Sequence, residues 1–218
     1  MIKKGKLYIC SNHIGNHKDI TYNVIETLKN NVDYVYAEDT REFDKLAIKY
    51  SIDVNKVFSY HLFNEHGKLN EVLFHLNAGK NIALISDRGT PVVNDPGILL
   101  VREYAKISPE NLKILPGASA ATSAFVLSGF SHRFMFLGFL TKYFELEQFR
   151  DFPYAIVLFE SPHRIHKLID NINSIMGPRD LCICRELTKE YEEVIYCNSS
   201  NIPKFNEKGE FTIVIKQL

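Results

Sequence analysis

No stretch of the sequence is apolar for long enough to cross a membrane as a helix, which takes about 18 residues or more. The apolar run after Lys6 soon meets polar Ser11-Asn12-His13, too short for the core of a secretory signal. A cytoplasmic protein without membrane contact is expected. Charge of either sign is not in excess: Lys+Arg and Asp+Glu both number 26. That balance argues against a dedicated, strongly basic nucleic-acid binder, because phosphate neutralisation supplies most non-specific affinity. It leaves room for an RNA enzyme with a local basic patch. Cysteine is scarce, and none of Cys10, Cys182, Cys184 and Cys197 forms a C-x-x-C pair. Cys182 and Cys184 lie two apart in an apolar run, so a strand puts both on one face, poorly set to bond each other. Free thiols in a reducing compartment are expected.

Three motifs are also missing. The loop after the first apolar run has one glycine, Gly15, so the dinucleotide fingerprint G-x-G-x-x-G is absent. Glu38-Asp39 stands where nucleotide-binding folds place a ribose-binding carboxylate, but without the glycines that signal is weak. No P-loop occurs, which speaks against ATP or GTP chemistry. His13-x-x-x-His17 falls in a predicted loop with no third ligand nearby, and Glu160-x-x-His163 occurs once where di-iron sites need the motif twice. No metal is expected.

What is present is an ordinary globular composition, 45% hydrophobic and 24% charged, in 218 residues that can hold one large or two small domains. Strands are predicted at 6–10, 33–37, 81–86 and 112–115. A helix capped by Asp19 buries Ile20, Val24, Ile25 and Leu28; Leu69, Val72, Leu73 and Leu76 mark another. Asp95-Pro96 offers an N-cap and first residue for a helix to about Lys106. This alternation predicts a mostly parallel sheet over residues 1–115. After Pro116-Gly117 the pattern changes. A small-residue helix (118–128) precedes strands at 135–139 and 154–159, with an irregular aromatic stretch (141–152) between them. Ser161-Pro162 reads as the start of a helix with Ile165, Leu168, Ile169, Ile172 and Ile175 inward. Three strands (180–187, 192–197, 210–216) with one helix among them complete a mixed second domain, 116–218.

Ligands of open α/β sheets sit beyond the carboxyl ends of strands, where small residues and helix N-termini bring backbone N–H groups together. Three loops fit: Ile14-Gly15-Asn16; Ser86-Asp87-Arg88-Gly89-Thr90-Pro91 running on to Asn94-Asp95-Pro96-Gly97; and Pro116-Gly117-Ala118-Ser119-Ala120. Any one of them alone is a capped turn. Three at corresponding sheet positions imply a ligand cleft.

Read in order, these segments resemble one family. The run comprises Leu7-Tyr8-Ile9, Ile14-Gly15-Asn16, Ala37-Glu38-Asp39-Thr40-Arg41, Ser86-Asp87 with Gly89-Thr90-Pro91, and Asn94-Asp95-Pro96-Gly97. It continues through Leu115-Pro116-Gly117, Phe159-Glu160-Ser161-Pro162-His163-Arg164, Arg185-Glu186-Leu187-Thr188-Lys189 and Lys208-Gly209-Glu210. Together these closely resemble the 16S ribosomal RNA (cytidine-2′-O)-methyltransferases, a branch of the tetrapyrrole methylase fold. The resemblance implies two α/β domains with S-adenosylmethionine (SAM) in the cleft between them. It also implies that Ile14, Gly15, Asp87, Gly89, Thr90, Pro91, Ser119, Ala120 and Leu187 line the cofactor pocket. The expected substrate is 16S rRNA in the small ribosomal subunit, and a homodimer is expected.

Methyl transfer from a sulfonium needs no metal; it needs alignment and help for a hydroxyl whose pKa lies far above neutral. Candidate bases or orienters are Asp39, Asp87, Glu160, His163, Glu186 and Lys189, and the sequence does not choose among them. Arg41, Arg88, Arg164, Arg185 and Lys189 are candidates for holding phosphates. Pairs such as Glu160 with Arg164, or Arg185 with Glu186, serve equally well as structural braces. Four departures from the family pattern matter. His13 replaces a proline and Arg88 an alanine; the span from Lys189 to Gly209 is compressed. The expected Lys/Arg-rich stretch after Gly138-Phe139-Leu140 is short, with Lys142 and Arg150 set against Glu145, Glu147 and Asp151. The last departure weakens the RNA inference and leaves two competitors, a tetrapyrrole C-methyltransferase and an assembly factor without activity.

Overall fold

The computed structural model describes residues 3–141 and 146–218. The chain forms two compact units, Met1–Ala118 and Ser119–Leu218.

The first unit is built on five parallel strands: β1 (Leu7–Cys10), β2 (Tyr34–Ala37), β3 (Lys56–Ser59), β4 (Ile82–Ile85) and β5 (Leu112–Leu115), in the order β3-β2-β4-β1-β5. Successive side chains of a strand point to opposite faces, and both faces are covered, which is why these strands read as continuous apolar runs. On one face Tyr8, Cys10, Val35, Ala37, Ala83 and Ile85 pack with helices α1 (Tyr22–Asn30) and α2 (Thr40–Tyr50) through Val24, Leu28, Phe43 and Leu46. On the other, Leu7, Ile9, Tyr36, Ile82 and Leu84 pack with α3 (Glu65–Asn77) and α4 (Ile98–Ile107) through Val72, Leu76, Leu100 and Tyr104.

The second unit opens with α5 (Ala120–Ser128) and holds β6 (Phe134–Phe139), β7 (Ala155–Glu160), α6 (Ile165–Asn171), β8 (Asp180–Arg185), β9 (Glu193–Asn198) and β10 (Phe211–Ile215). The sheet order is β6-β7-β10-β8-β9. β6 and β7 run parallel, and β10 lies antiparallel to both β7 and β8. Ile156, Leu158, Leu181, Ile183, Ile213 and Ile215 form the core with Ile165, Leu168, Ile169 and Ile172. α6 runs on as a π-helical turn over Ile172–Met176.

Four local expectations are corrected. Asp19 does not cap α1: it ends a 3₁₀ turn over His17–Asp19 capped by Asn16, the chain extends through Ile20, and Thr21 takes the cap, its hydroxyl accepting from the Val24 N–H. Asp95-Pro96 does not start α4, because Gly97 at φ +124° cannot be helical; its N–H instead donates to Glu65 Oε2 at 3.1 Å. Ser161-Pro162 forms a turn before α6, with the Ser161 carbonyl accepting from the Arg164 N–H and the Glu160 carboxylate from the Ser161 N–H. No helix interrupts β8, β9 and β10; the connection from Ser199 to Glu210 holds Pro203 and Gly209 and stays irregular. Two elements, α2 and β3, are additional to the sequence expectation. In the 141–152 stretch a 3₁₀ turn spans Leu146–Phe149, while the expected charges Lys142 and Glu145 lie outside the described residues.

Candidate functional site

In the first unit, β4, β1 and β5 are neighbours, so the loops leaving their carboxyl ends meet. The Asn12 side chain holds two of them together: its amide donates to the carbonyls of Ser86 (3.1 Å) and Asp87 (3.0 Å). The Asn12 N–H donates to the Gly89 carbonyl at 2.6 Å, and the Gly89 N–H to the His13 carbonyl at 3.1 Å. Ser11 Oγ lies 2.9 Å from Thr90 Oγ1, and the Ser11 N–H donates to the Leu115 carbonyl. The third loop closes against the first at Gly117, where an added Cβ would lie 2.7 Å from Ser11 Cβ. Sequence alone gives Asn12 no role. Its place at a strand end, flanked by polar Ser11 and His13, was the available signal.

Gly89 is buried at φ +65°; a Cβ there would meet Ile14 Cγ2 at 3.7 Å and the Ala118 carbonyl at 3.8 Å. Ile14, Gly89 and Ala118 therefore wall one small cradle. Strain gathers beside it: Val92 (φ +78°) and Asn94 (φ +65°) are left-handed without being glycine, an arrangement that persists where the surroundings enforce it. Pro91 is buried and Gly15 half-buried.

Carboxylates crowd the adjacent strand ends. The Asp87 N–H donates to Glu38 Oε2 (3.2 Å), and Asp87 Oδ1 accepts from the Asp39 N–H (3.1 Å). Burial, then Glu38, raises the Asp87 pKa. Burial followed by Glu38 and Asp87 pushes Asp95 up to about 7, so this carboxyl titrates near neutrality. Asp95, expected only as a cap, gains this character from neighbours that local pattern cannot reveal. Asp39 behaves oppositely. It accepts from the Arg41 guanidinium and N–H, which hold it at about 2, a weak proton acceptor. Arg41 is committed to that pair, its side chain 84% exposed. Arg88 turns toward α2, with Nη2 3.6 Å from Glu42.

In the second unit Ser119 caps α5 from a half-buried position with no side-chain capping bond, and Ala120 is the first helical residue. The segment from Arg185 to Lys189 interlocks with Lys208-Gly209-Glu210. Lys189 Nζ donates to Glu186 Oε1 (2.9 Å) and Glu210 Oε2 (2.8 Å), and Glu186 Oε1 also accepts from the Glu210 N–H (2.8 Å). At Gly209 (φ +113°) a Cβ would sit 2.6 Å from Glu186 Cγ, so only glycine lets the two segments approach. Glu186 (φ +51°) and Thr188 (φ +64°) are both left-handed, and Leu187 between them is buried. Burial works against the Lys189 charge, but Glu210 and Glu186 outweigh it and hold the ammonium above its ordinary pKa. Burial likewise works against the charge on Glu186, yet the Glu210 N–H and Lys189 keep its carboxyl below the usual range. Glu210 is the member that sequence reasoning missed.

The two remaining arginines are each paired with a carboxylate. Arg185, 7% exposed, donates from Nε to Glu193 (3.0 Å) and from Nη1 to the Lys208 carbonyl (3.0 Å), leaving little for a phosphate. Arg164 pairs with buried Glu160 at 2.8 Å and reaches the Leu140 carbonyl. His163 is exposed in the turn before α6. Among the described residues no cluster of three or more His, Cys, Asp or Glu side chains is placed to hold a metal ion. No described helix is long and apolar enough to cross a membrane.

Comparison with known proteins places the chain in a family. Residues 6–203 match the family model of the Tetrapyrrole (Corrin/Porphyrin) Methylases. A Thermotoga maritima protein named ribosomal RNA small subunit methyltransferase I is 39% identical, covering 97% of this chain and 98% of its own. The Bacillus subtilis protein of the same name is 39% identical over 97% of this chain and 75% of its own. Among solved structures, the methyltransferase CobJ superposes with TM-score 0.71 at 14% identity, covering 98% of this chain and 94% of its own. A uroporphyrin-III C-methyl transferase from Thermus thermophilus, complexed with S-adenyl homocysteine, gives 0.63 at 13%, over 96% and 97%. Similarity at that level shows the fold alone, whereas the near-full-length identities reach further: this chain is a tetrapyrrole methylase-fold protein of the ribosomal RNA small subunit methyltransferase I family.

Proposed function

We propose that the protein is a cytoplasmic enzyme that transfers the methyl group of SAM to the 2′-hydroxyl of a cytidine ribose in 16S rRNA, acting on the small ribosomal subunit as a homodimer. The observation that carries this reading is the match of 97% of this chain to relatives named for that subunit, joined to a cradle at the ends of β4, β1 and β5. Exposed apolar Val126 and Leu127 on α5 and Tyr196 on β9 favour self-association.

The cradle fits the cofactor: a bent zwitterion needs close backbone approach, which the bare Cα of Gly89 between Ile14 and Ala118 allows, while Gly117 lets the third loop close on Ser11. Ile14, Gly15, Asp87, Gly89, Thr90 and Pro91 would hold it, with Ser119, Ala120 and Leu187 contributing as the family resemblance implies. When bound, SAM supplies an already activated methyl group. The chain must align the ribose and stabilise the charge that grows on its oxygen. Lys189 is suited to stabilising that charge. Its Nζ is kept protonated by Glu210 and Glu186, so it offers a fixed positive charge rather than a base. Burial of Asp87 raises its pKa and so favours proton acceptance there over Asp39.

The decisive experiment incubates the purified protein with radiolabelled SAM and small ribosomal subunits lacking the modification. Label on a cytidine ribose is expected. Tight SAM binding with no transfer to any RNA would replace this reading with that of an assembly factor.

A further inference from the structure

A cavity of about 290 Å³ opens where α2 faces the loops that follow β1 and β4. His13 and His17 come to it from the β1 loop, Arg88 from the β4 loop, and Glu42, Lys45 and Lys49 from one side of α2, at helical spacings of three and four. Tyr50 pins the arrangement by donating from its hydroxyl to the His17 carbonyl at 2.6 Å. Lys45 and Arg88 share Glu42, and Lys49 has no carboxylate partner among the described residues. Three permanent cations against one carboxylate leave two positive charges in excess, within a chain whose formal charge is zero.

The two histidines add to this setting. The imidazoles of His13 and His17 meet edge-on at 4.2 Å, yet both Nδ1 atoms are buried with no hydrogen-bond partner. His13 is only 2% exposed, and a buried nitrogen is costly to leave unpaired. Burial, then His17, Arg88 and Lys49, pushes the His13 pKa down to about 4, while Glu42 acts the other way. Burial is the larger cause, and Arg88 and Lys49, which add to it, are the charges that would attract an anion.

We propose that this cavity is a phosphate-binding site that takes a backbone phosphodiester of the RNA substrate. The inference rests on the RNA reading above and deepens it. Lys49 and Arg88 supply the charge, a pair suited to one tetrahedral oxyanion, and the buried histidines wall the cavity without being needed as donors. Such a site also answers a gap in the sequence: the expected basic stretch near residues 141–152 carries more carboxylates than cations. His13 and Arg88, which depart from the family pattern, would shift part of the RNA grip onto the first unit.

The test measures binding of a fluorescently labelled cytidine-containing RNA oligonucleotide by anisotropy across a salt series, with the intact protein. Lys49→Gln changes an exposed side chain and should leave the fold intact. It should weaken RNA binding about tenfold at low salt and lower the log–log salt slope by about 0.7, the share of one single-strand phosphate contact. SAM affinity should not move. In the same titration the ring signals of His13 and His17 should shift in nuclear magnetic resonance spectra. RNA bound by the wild type but with unchanged affinity and slope in both Lys49→Gln and Arg88→Ala would overturn the site while sparing the substrate reading. Failure of the wild type to bind any RNA would overturn both. Tight inorganic phosphate binding that RNA does not displace would reassign the cavity to a small phosphate ligand and also overturn the proposal.

Discussion

Lys189 and Gly89 carry the sharpest consequences at the scale of single residues. Lys189→Ala removes the fixed charge but leaves the cradle loops intact. Turnover with small subunits should fall about 100-fold, with SAM affinity within about threefold, as when a preorganised charge is lost from a transition state. A loss confined to SAM binding would take Lys189 out of the reaction. Gly89 tests the cradle itself. Its φ of +65° costs any other residue about 1–2 kcal/mol, and a β-branched one more. An alanine Cβ there makes only ordinary contact with Ile14 and Ala118, at 3.7 and 3.8 Å, so Gly89→Ala should keep measurable SAM binding. Gly89→Val adds branches that enter the cavity and should abolish the SAM-induced rise in melting temperature. Equal shifts in wild type and Gly89→Val would locate the cofactor elsewhere. The glycine itself was legible in the sequence as part of Gly89-Thr90-Pro91. Its neighbours were not, because Ser11 and Asn12 act through long-range hydrogen bonds that no local pattern encodes.

Elements were read well in their interiors and less well at their ends. The strands of the first unit are apolar on both faces, and that run is visible in a string of letters; so is the Leu69-Val72-Leu73-Leu76 stripe of α3. Helix starts depend instead on where the backbone leaves extended geometry, and a capping residue type occurs at several positions near each start. Asp19 and Thr21 are the case in point, both good caps, separated by the extended, buried Ile20. Thr21→Ala should destabilise the protein by about 1 kcal/mol in urea unfolding. Asp19→Ala, at an exposed turn, should stay within about 0.5 kcal/mol. The reverse order would return the cap to Asp19. α2 escaped the sequence reading for a related reason: its buried contacts are only Phe43 and Leu46, too few to show a period.

Over the whole molecule, the alternation of strand and helix in the first half and the strand-rich second half set the two sheet types in advance, because burial on both faces and crossover length are properties of the pattern. What pattern cannot give is the meeting of Glu38, from the loop after β2, with Asp87 and Asp95, from the loop after β4, at one end of the parallel sheet. That meeting should govern how stability depends on pH. Asp95 has a folded pKa of about 7 against an unfolded value near 3.9. Between those values the folded state holds a proton that the unfolded chain has released, so rising pH favours unfolding. The stabilisation is complete below about pH 4 and is lost as pH climbs through about 7. At about 1.4 kcal/mol per unit its upper bound is about 4 kcal/mol, and relaxation around a partly exposed carboxyl will lower it. Asp95→Asn keeps a neutral side chain of the same shape at every pH. The stability difference between wild type and variant should therefore widen in the variant's favour from pH 5 to pH 8, then level off. Urea midpoints that track in parallel across that range would mean Asp95 is ionised throughout, and the crowding of carboxylates beside the cradle would then have to be relieved by a counter-charge from outside these two loops.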